Sequence, residues 1–220
     1  ELITKALAIM PDYTEAHYNL GNALKELGNF NEAVTCYNNA LAIKPDYTDA
    51  HSNLGNVLIE LEKFDEAIIS YNMAISISPD YAAAHSNLGN VLKDIGKLDE
   101  AVASYNNALA IKPDFYEAHS NLGNALRDLG KLDEAVESYK LNEAVESYNK
   151  AIAIKTDYVE AHSNLGVALQ DLGKIDGALA SYNKALAIKP DFAEARFNLG
   201  LCLYESGQYQ KAAEQFKLTD

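Results

Sequence analysis

The sequence is short of the residues that most often announce chemistry. Two cysteines, Cys36 and Cys202, make neither a disulfide framework nor a metal quartet, and such sparse use favours a reducing, cytoplasmic setting. Cations are scarce too, with 18 Lys and Arg against 32 Asp and Glu, a net charge of −14. Non-specific binding of nucleic acid or of an anionic membrane needs a cationic face, so neither is an expected partner, whereas a basic one is compatible. No apolar run approaches the ~18 residues of a membrane span, and no charged leader precedes an apolar stretch and a cleavage site. No segment alternates with period two between turn signals, which removes the sheet. What remains is 48% hydrophobic and 23% charged over 220 residues, a globular balance.

Self-similarity organises that remainder. HYNLGNALKELG, HSNLGNVLIELE, HSNLGNVLKDIG, HSNLGNALRDLG, HSNLGVALQDLG and RFNLGLCLYESG recur along the chain. His17, His51, His85 and His119 are each 34 residues apart and His162 follows after 43; Pro11, Pro45, Pro79 and Pro113 keep the same 34-residue step. The chain therefore divides into a partial unit at 1–13, units at 14–47, 48–81 and 82–115, an irregular one at 116–158, one at 159–192, and a partial one at 193–220. Both ends cut through a unit and the chain opens on Glu1, so it reads as a fragment of a longer array.

Within a unit the apolar period is helical. Ala16, Leu20, Ala23, Leu24 and Leu27 recur at three and four residues, and Phe30, Ala33, Val34, Tyr37, Ala40, Leu41 and Ile43 do so again. Gly28 with Asn29 separates the two runs and Pro45 with Asp46 ends the second, which gives an antiparallel helix pair joined by a short turn. The spacing of Asp12 with Glu15, Asp46 with Asp49 and Asp157 with Glu160 predicts capping boxes, and Lys44, Lys112, Lys155 and Lys189 are placed to meet the negative ends of second helices. Glu62 stands where Gly28, Gly96, Gly130, Gly173 and Gly207 stand, at a cost of roughly 1 kcal/mol for a left-handed non-glycine residue. Thr156 replaces a terminal proline, and Gly177 replaces a glutamate at a helix start. One pair cannot bury its stripe alone, so the expected fold is all-α, a solenoid of stacked pairs.

These positions resemble the tetratricopeptide repeat (TPR). Small residues occupy the eighth position (Gly21, Gly55, Gly89, Gly123, Gly166, Gly200), alanine the twentieth and twenty-seventh, and an aromatic the twenty-fourth (Tyr37, Tyr71, Tyr105, Tyr182, Phe216). The resemblance covers essentially the whole chain. It implies a right-handed superhelical array whose first helices line a concave wall, and a peptide- or protein-binding function.

One departure is large. LDEAVESYK at 132–140 is followed at once by LNEAVESYN at 141–149, nine extra residues. As continuous helix they would turn the chain by about 900° and leave the next face about 180° out of phase. Alternatively, since nine and 25 make 34, a 25-residue segment is missing between Lys140 and Leu141. The missing segment is favoured because it keeps every helix in phase, whereas a true duplication requires a bulge, a break or a displaced neighbour.

The candidate sites sort by geometry. Five histidines in register invite a metal, but equivalent side chains in stacked units lie about 10 Å apart, whereas zinc needs ligands at about 2.0–2.2 Å. They are read as packing residues, with no metal and no cofactor. Ser52, Ser86, Ser120 and Ser163 directly follow histidines, yet neighbours on a helix point about 100° apart and make no nucleophile–base pair, so no enzyme is expected.

Asparagine carries the functional signal. Asn19, Asn53, Asn87, Asn121, Asn164 and Asn198 hold the sixth position, and Asn22, Asn56, Asn90 and Asn124 the ninth, three residues on and on the same face. Asparagine is a poor helix former, so its recurrence needs a reason, either a ligand or the copying of a neutral residue by internal duplication. A primary amide offers donors and an acceptor to both groups of an extended main chain. The HSNLGN phrase also resembles the superhelical domain of O-linked N-acetylglucosamine transferases, which implies a sixth-position ladder that holds substrate backbone. A chaperone clamp fits poorly, because Ser52, Ser86 and Ser120 stand where that family needs lysine. The expected function is a scaffold for a neutral or basic protein or extended peptide. The competing readings are a self-assembling homo-oligomeric scaffold, and the substrate-selecting arm of a larger glycosyltransferase.

Overall fold

The computed structural model describes residues 7–130 and 137–218. The chain packs as two compact units, Glu1–Ile111 and Lys112–Asp220. The first holds α1 (Thr14–Glu26), α2 (Phe30–Ile43), α3 (Thr48–Glu60), α4 (Phe64–Ile77), α5 (Ala82–Asp94) and α6 (Leu98–Ile111). The second holds α7 (Tyr116–Gly130), α8 (Glu137–Ile154), α9 (Val159–Asp171), α10 (Ile175–Ile188), α11 (Ala193–Glu205) and α12 (Tyr209–Lys217). There is no strand among the described residues. Within each unit every helix packs on its neighbours in sequence, the quasi-one-dimensional contact pattern of a helical repeat array.

The buried positions repeat with the sequence. In α3 Ala50, Leu54, Gly55, Val57 and Leu58 are buried, and in α4 Ala67, Tyr71 and Ala74. The aromatic of the second helix lies directly on the backbone of the first. A Cβ at Gly89 would stand 2.7 Å from Tyr105 Cε1, so only glycine admits the ring. The same contact recurs at Gly21 with Tyr37, Gly55 with Tyr71 and Gly166 with Tyr182.

The turn between paired helices closes by a recurring backbone bond. Asn29 N–H donates to Leu24 O at 2.9 Å, and Lys63, Lys97, Lys174 and Gln208 repeat it at 2.8 Å. This is the Schellman closure, which requires a left-handed residue just before the donor. Gly28, Gly96, Gly173 and Gly207 supply it, and Glu62 adopts it with φ 57°. Gly130 instead ends α7 as a helical residue.

The expectation about helix starts is corrected. The N-cap residues are Tyr13, Tyr47, Tyr81, Tyr158 and Phe192, with no side-chain cap, so the predicted capping boxes do not form. The chain enters each helix one residue later than the aspartate spacing implied, and Glu15, Asp49 and Glu160 keep only their favourable place in the first turn. Lys44 and Lys189 are C-caps, at the helix ends where they were expected, and they fold over the next aromatic, with Lys44 Nζ 4.9 Å from the Tyr47 ring centre and Lys189 Nζ 5.6 Å from that of Phe192. Lys155 stands over two rings, Tyr116 at 4.8 Å and Tyr158 at 5.2 Å.

At the duplication, α8 runs unbroken through Lys140 and Leu141. The second copy docks: Leu141, Ala144, Tyr148 and Ala151 are buried, and Tyr148 takes the place against Gly123 that Tyr105 takes against Gly89. Residues 132–136 and the side chain of Tyr139, which carry the first copy, lie outside the described residues, as do Leu2 and Ile3 at the amino end.

Candidate functional site

The repeated histidines face the preceding repeat rather than one another. His17 Nε2 lies 2.8 Å from Pro11 O, His51 2.9 Å from Pro45 O, His85 3.0 Å from Pro79 O and His119 2.9 Å from Pro113 O. His162 does the same at 2.9 Å to Thr156 O, so the carbonyl rather than the proline ring is what the contact needs. Arg196 takes over with its guanidinium, donating to Pro190 O. Among the described residues no group of His, Cys, Asp or Glu converges as metal ligands would.

Burial pushes the thiols of Cys36 and Cys202 up, with Glu32 and Glu205 adding to the shift, so neither is an activated nucleophile. Ser163 is buried with its hydroxyl unpartnered. Ser52 and Ser120 interact with the hydroxyls of Tyr81 and Tyr158, while the matching position for Ser163 is Phe192, which has no hydroxyl to offer.

The asparagines form a bonded chain in the first unit. Tyr37 donates its hydroxyl to Asn22 Oδ1 at 2.8 Å, and Asn53 Nδ2 donates to the same oxygen at 3.0 Å and to Tyr18 Oη at 2.9 Å. One repeat on, Tyr71 donates to Asn56 Oδ1 at 2.7 Å and Asn87 Nδ2 donates to it at 3.1 Å. Tyr105 donates to Asn90 Oδ1 at 2.8 Å. In the second unit Tyr148 donates to Asn124 Oδ1 at 2.7 Å. Where Val167 replaces the ninth-position asparagine, Gln170 Oε1 receives the Tyr182 hydroxyl at 2.9 Å.

The two rows thus differ in role. The ninth-position oxygens of Asn22 and Asn56 join their own second helix to the next repeat's sixth-position amide, an internal cross-link that sequence spacing did not reveal. Its one sequence signal was that the last repeat lacks both partners together, with Leu201 and Phe216 in their places. The sixth-position amides of Asn53 and Asn87 donate within this chain, and Asn53 Oδ1 receives only a long 3.4 Å bond from Asn56. A carbonyl oxygen accepts two hydrogen bonds, so Asn53 retains acceptor capacity. Asn19 is exposed, whereas Asn53, Asn87, Asn121, Asn164 and Asn198 are half-buried. Adjacent-charge pairs edge the same helices, Lys25–Glu26 at 3.5 Å, Lys93–Asp94 at 3.1 Å and Arg127–Asp128 at 3.8 Å.

No described helix is long and apolar enough to cross a membrane. No curated protein matches this chain. Many solved structures share its fold, three of them as follows. MamA is 23% identical, with a TM-score of 0.70 over 84% of this chain and 96% of that one. YrrB, a TPR protein with an unusual peptide-binding site, is 23% identical, with a TM-score of 0.68 over 89% and 96%. MamA from Desulfovibrio magneticus RS-1 is 16% identical, with a TM-score of 0.68 over 78% and 92%. The TPR repeat family model matches residues 21–62, 55–96, 89–127, 140–173 and 169–207, and a second tetratricopeptide repeat model matches 116–141. Since these matches run on from residue 21 to residue 207, the chain belongs to the tetratricopeptide repeat family.

Proposed function

We propose that the chain is a non-catalytic scaffold that holds an extended peptide, neutral or basic, along the asparagine face of its first helices. The observation that carries this reading is the set orientation of Asn53 and Asn87. Their amide nitrogens are tied to Tyr18, Asn22 and Asn56, which leaves acceptor capacity on the oxygens. Such oxygens take main-chain N–H groups and are indifferent to the side chains between them. Glu15, Asp49 and Glu117 belong to the same helices and favour a basic segment.

Each such contact contributes about 0.5–1.5 kcal/mol, so several must act together. The test compares a peptide library against the parent and against a variant with Asn53, Asn87 and Asn121 changed to Ala, once circular dichroism shows both folded. Affinity falling across many peptide sequences is the expected result, and unchanged affinity sinks the reading. Self-assembly is the second reading, because Phe197, Leu201 and Tyr204 on α11 are exposed. A mass that stays monomeric through the micromolar range removes it.

A further inference from the structure

Asparagine recurs in a second register. Asn38, Asn72, Asn106, Asn149 and Asn183 lie on the second helices and keep the same steps of 34, 34, 43 and 34 residues. All five are exposed. Asn183 donates to Leu179 O in its own helix at 2.8 Å, whereas Asn38, Asn72, Asn106 and Asn149 make no side-chain hydrogen bond among the described residues. Mid-helix asparagine is unfavourable, and unlike the first-helix rows this one has no internal cross-link to offset it.

Two of these residues stand beside grooves built from equivalent repeat positions. In the first unit Val34, Leu54 and Leu58 make the apolar lining, with Asn38, Ile69 and Glu66 around them, and enclose about 220 Å³. In the second unit Leu179, Leu199 and Leu203 do so beside Asn183, with Lys211 and Glu214, and enclose about 350 Å³. The first groove is below the ~300–1,000 Å³ of a small-molecule site, so it suits a side chain or two.

Ile69 is 63% exposed, and Thr35, Ala103, Glu146 and Ala180 fill its position elsewhere, so the fold does not require an aliphatic side chain there. Glu66 also lines a neighbouring hollow with Glu62 and Asp65. The one cation among them, Lys63, lies 3.6 Å from Glu66, which leaves this end of the groove negative.

We propose that the groove formed by Val34, Leu54, Leu58 and Ile69 docks an extended polypeptide segment in which an aliphatic side chain is followed by Lys or Arg. The aliphatic group enters the groove, the cation meets Glu62, Asp65 and Glu66, and the Asn38 amide bonds the main chain. This surface is lined by Val34 and Asn38 of α2, Leu54 and Leu58 of α3, and Glu66 and Ile69 of α4, and it uses none of the ladder asparagines.

The probe is acetyl-Ser-Gly-Leu-Lys-Gly-Ser-amide, titrated to millimolar concentration into the isotopically labelled chain and followed by backbone amide shifts. Shifts at 34–38 and 66–70 are expected. Ile69→Ala, which carries the residue already present at 103 and 180, and Asn38→Ala should each weaken binding by about threefold to tenfold, the range of one lost contact. Replacing the peptide's Leu by Ala, or its Lys by Glu, should do likewise. Shifts at Asn53 and Asn56 with none at 34–38 or 66–70 would overturn the groove while leaving the asparagine-ladder reading standing. No shifts at all, or full binding by the Ile69→Ala variant, would overturn it as well.

Discussion

At the scale of single residues, a recurrent position is legible in the sequence before its partner is. Asn56 was legible in the sequence as a recurrent polar residue on one helix face. Its partners Tyr71 and Asn87, 15 and 31 residues away, were not, because a spacing fixes a face and leaves the contact across a packed neighbour open. The histidines show the same limit: their register excluded a shared ion, but the carbonyl each one meets came only with the turn geometry. Glu62 was readable outright, since the left-handed turn depends on local chain chemistry alone. Its φ of 57° is the strain that four glycines avoid at the equivalent turns. Glu62→Gly should therefore raise stability by roughly 1 kcal/mol, because the relief of a left-handed side chain outweighs glycine's greater freedom when unfolded. Urea denaturation of the two proteins checks it, and an unchanged or lowered midpoint would show that the turn carries no strain.

At the scale of the element, the duplicated nonapeptide decides which of two similar segments becomes a packed helix. Leu141, Ala144 and Tyr148 match Leu132, Ala135 and Tyr139 one for one, so these buried residues cannot choose between the copies. The choice comes from the last turn of α8, beyond the second copy. A slip of nine residues would put Asn142 where Ala151 is fully buried, and Glu143 where Ile152 stands. An amide buried without partners costs about 1–3 kcal/mol, which holds the second copy in place. Sequence phase alone pointed to a break or a missing segment and did not weigh this tail. Tyr148→Ala should accordingly cost about 3–5 kcal/mol, as Tyr105→Ala should, because both rings fill the same slot. A much smaller loss at 148, measured by thermal unfolding, would mean that the first copy can refill it. A 25-residue segment missing at 140/141 remains our proposal for the irregular repeat. Peptide sequencing of the natural protein by mass spectrometry tests it: an uninterrupted Ser138–Glu143 peptide, SYKLNE, would overturn it, and about 25 residues between Lys140 and Leu141 would bear it out.

At the scale of the molecule, repetition turns one local contact into a collective property. The fold class followed from period and register because every repeat restates the same apolar pattern. What that restatement implies for pH appeared only with the burial of Tyr37, Tyr71, Tyr105, Tyr148 and Tyr182. Burial pushes all five phenols well above the usual tyrosine range. A raised folded value means that the native state keeps protons the unfolded chain releases above about pH 10. Stability is then fully present below that pH and falls as pH rises toward the folded values, by about 1.4 kcal/mol per pH unit for each phenol. The three phenols of the first unit together would remove about 4 kcal/mol per pH unit, a large share of the ~5–15 kcal/mol of a typical domain. We therefore expect helix loss, followed by circular dichroism between pH 9 and 12, to coincide with a step in phenolate absorbance at 295 nm. Tyr71→Phe should cost about 1 kcal/mol at pH 8, through the lost bond to Asn56, and less at pH 11, where it also removes one ionising group. Phenolate forming near pH 10 at all tyrosines while the helices stay intact would show that the rings titrate in place, and that their seats beside the first-helix glycines are open to water.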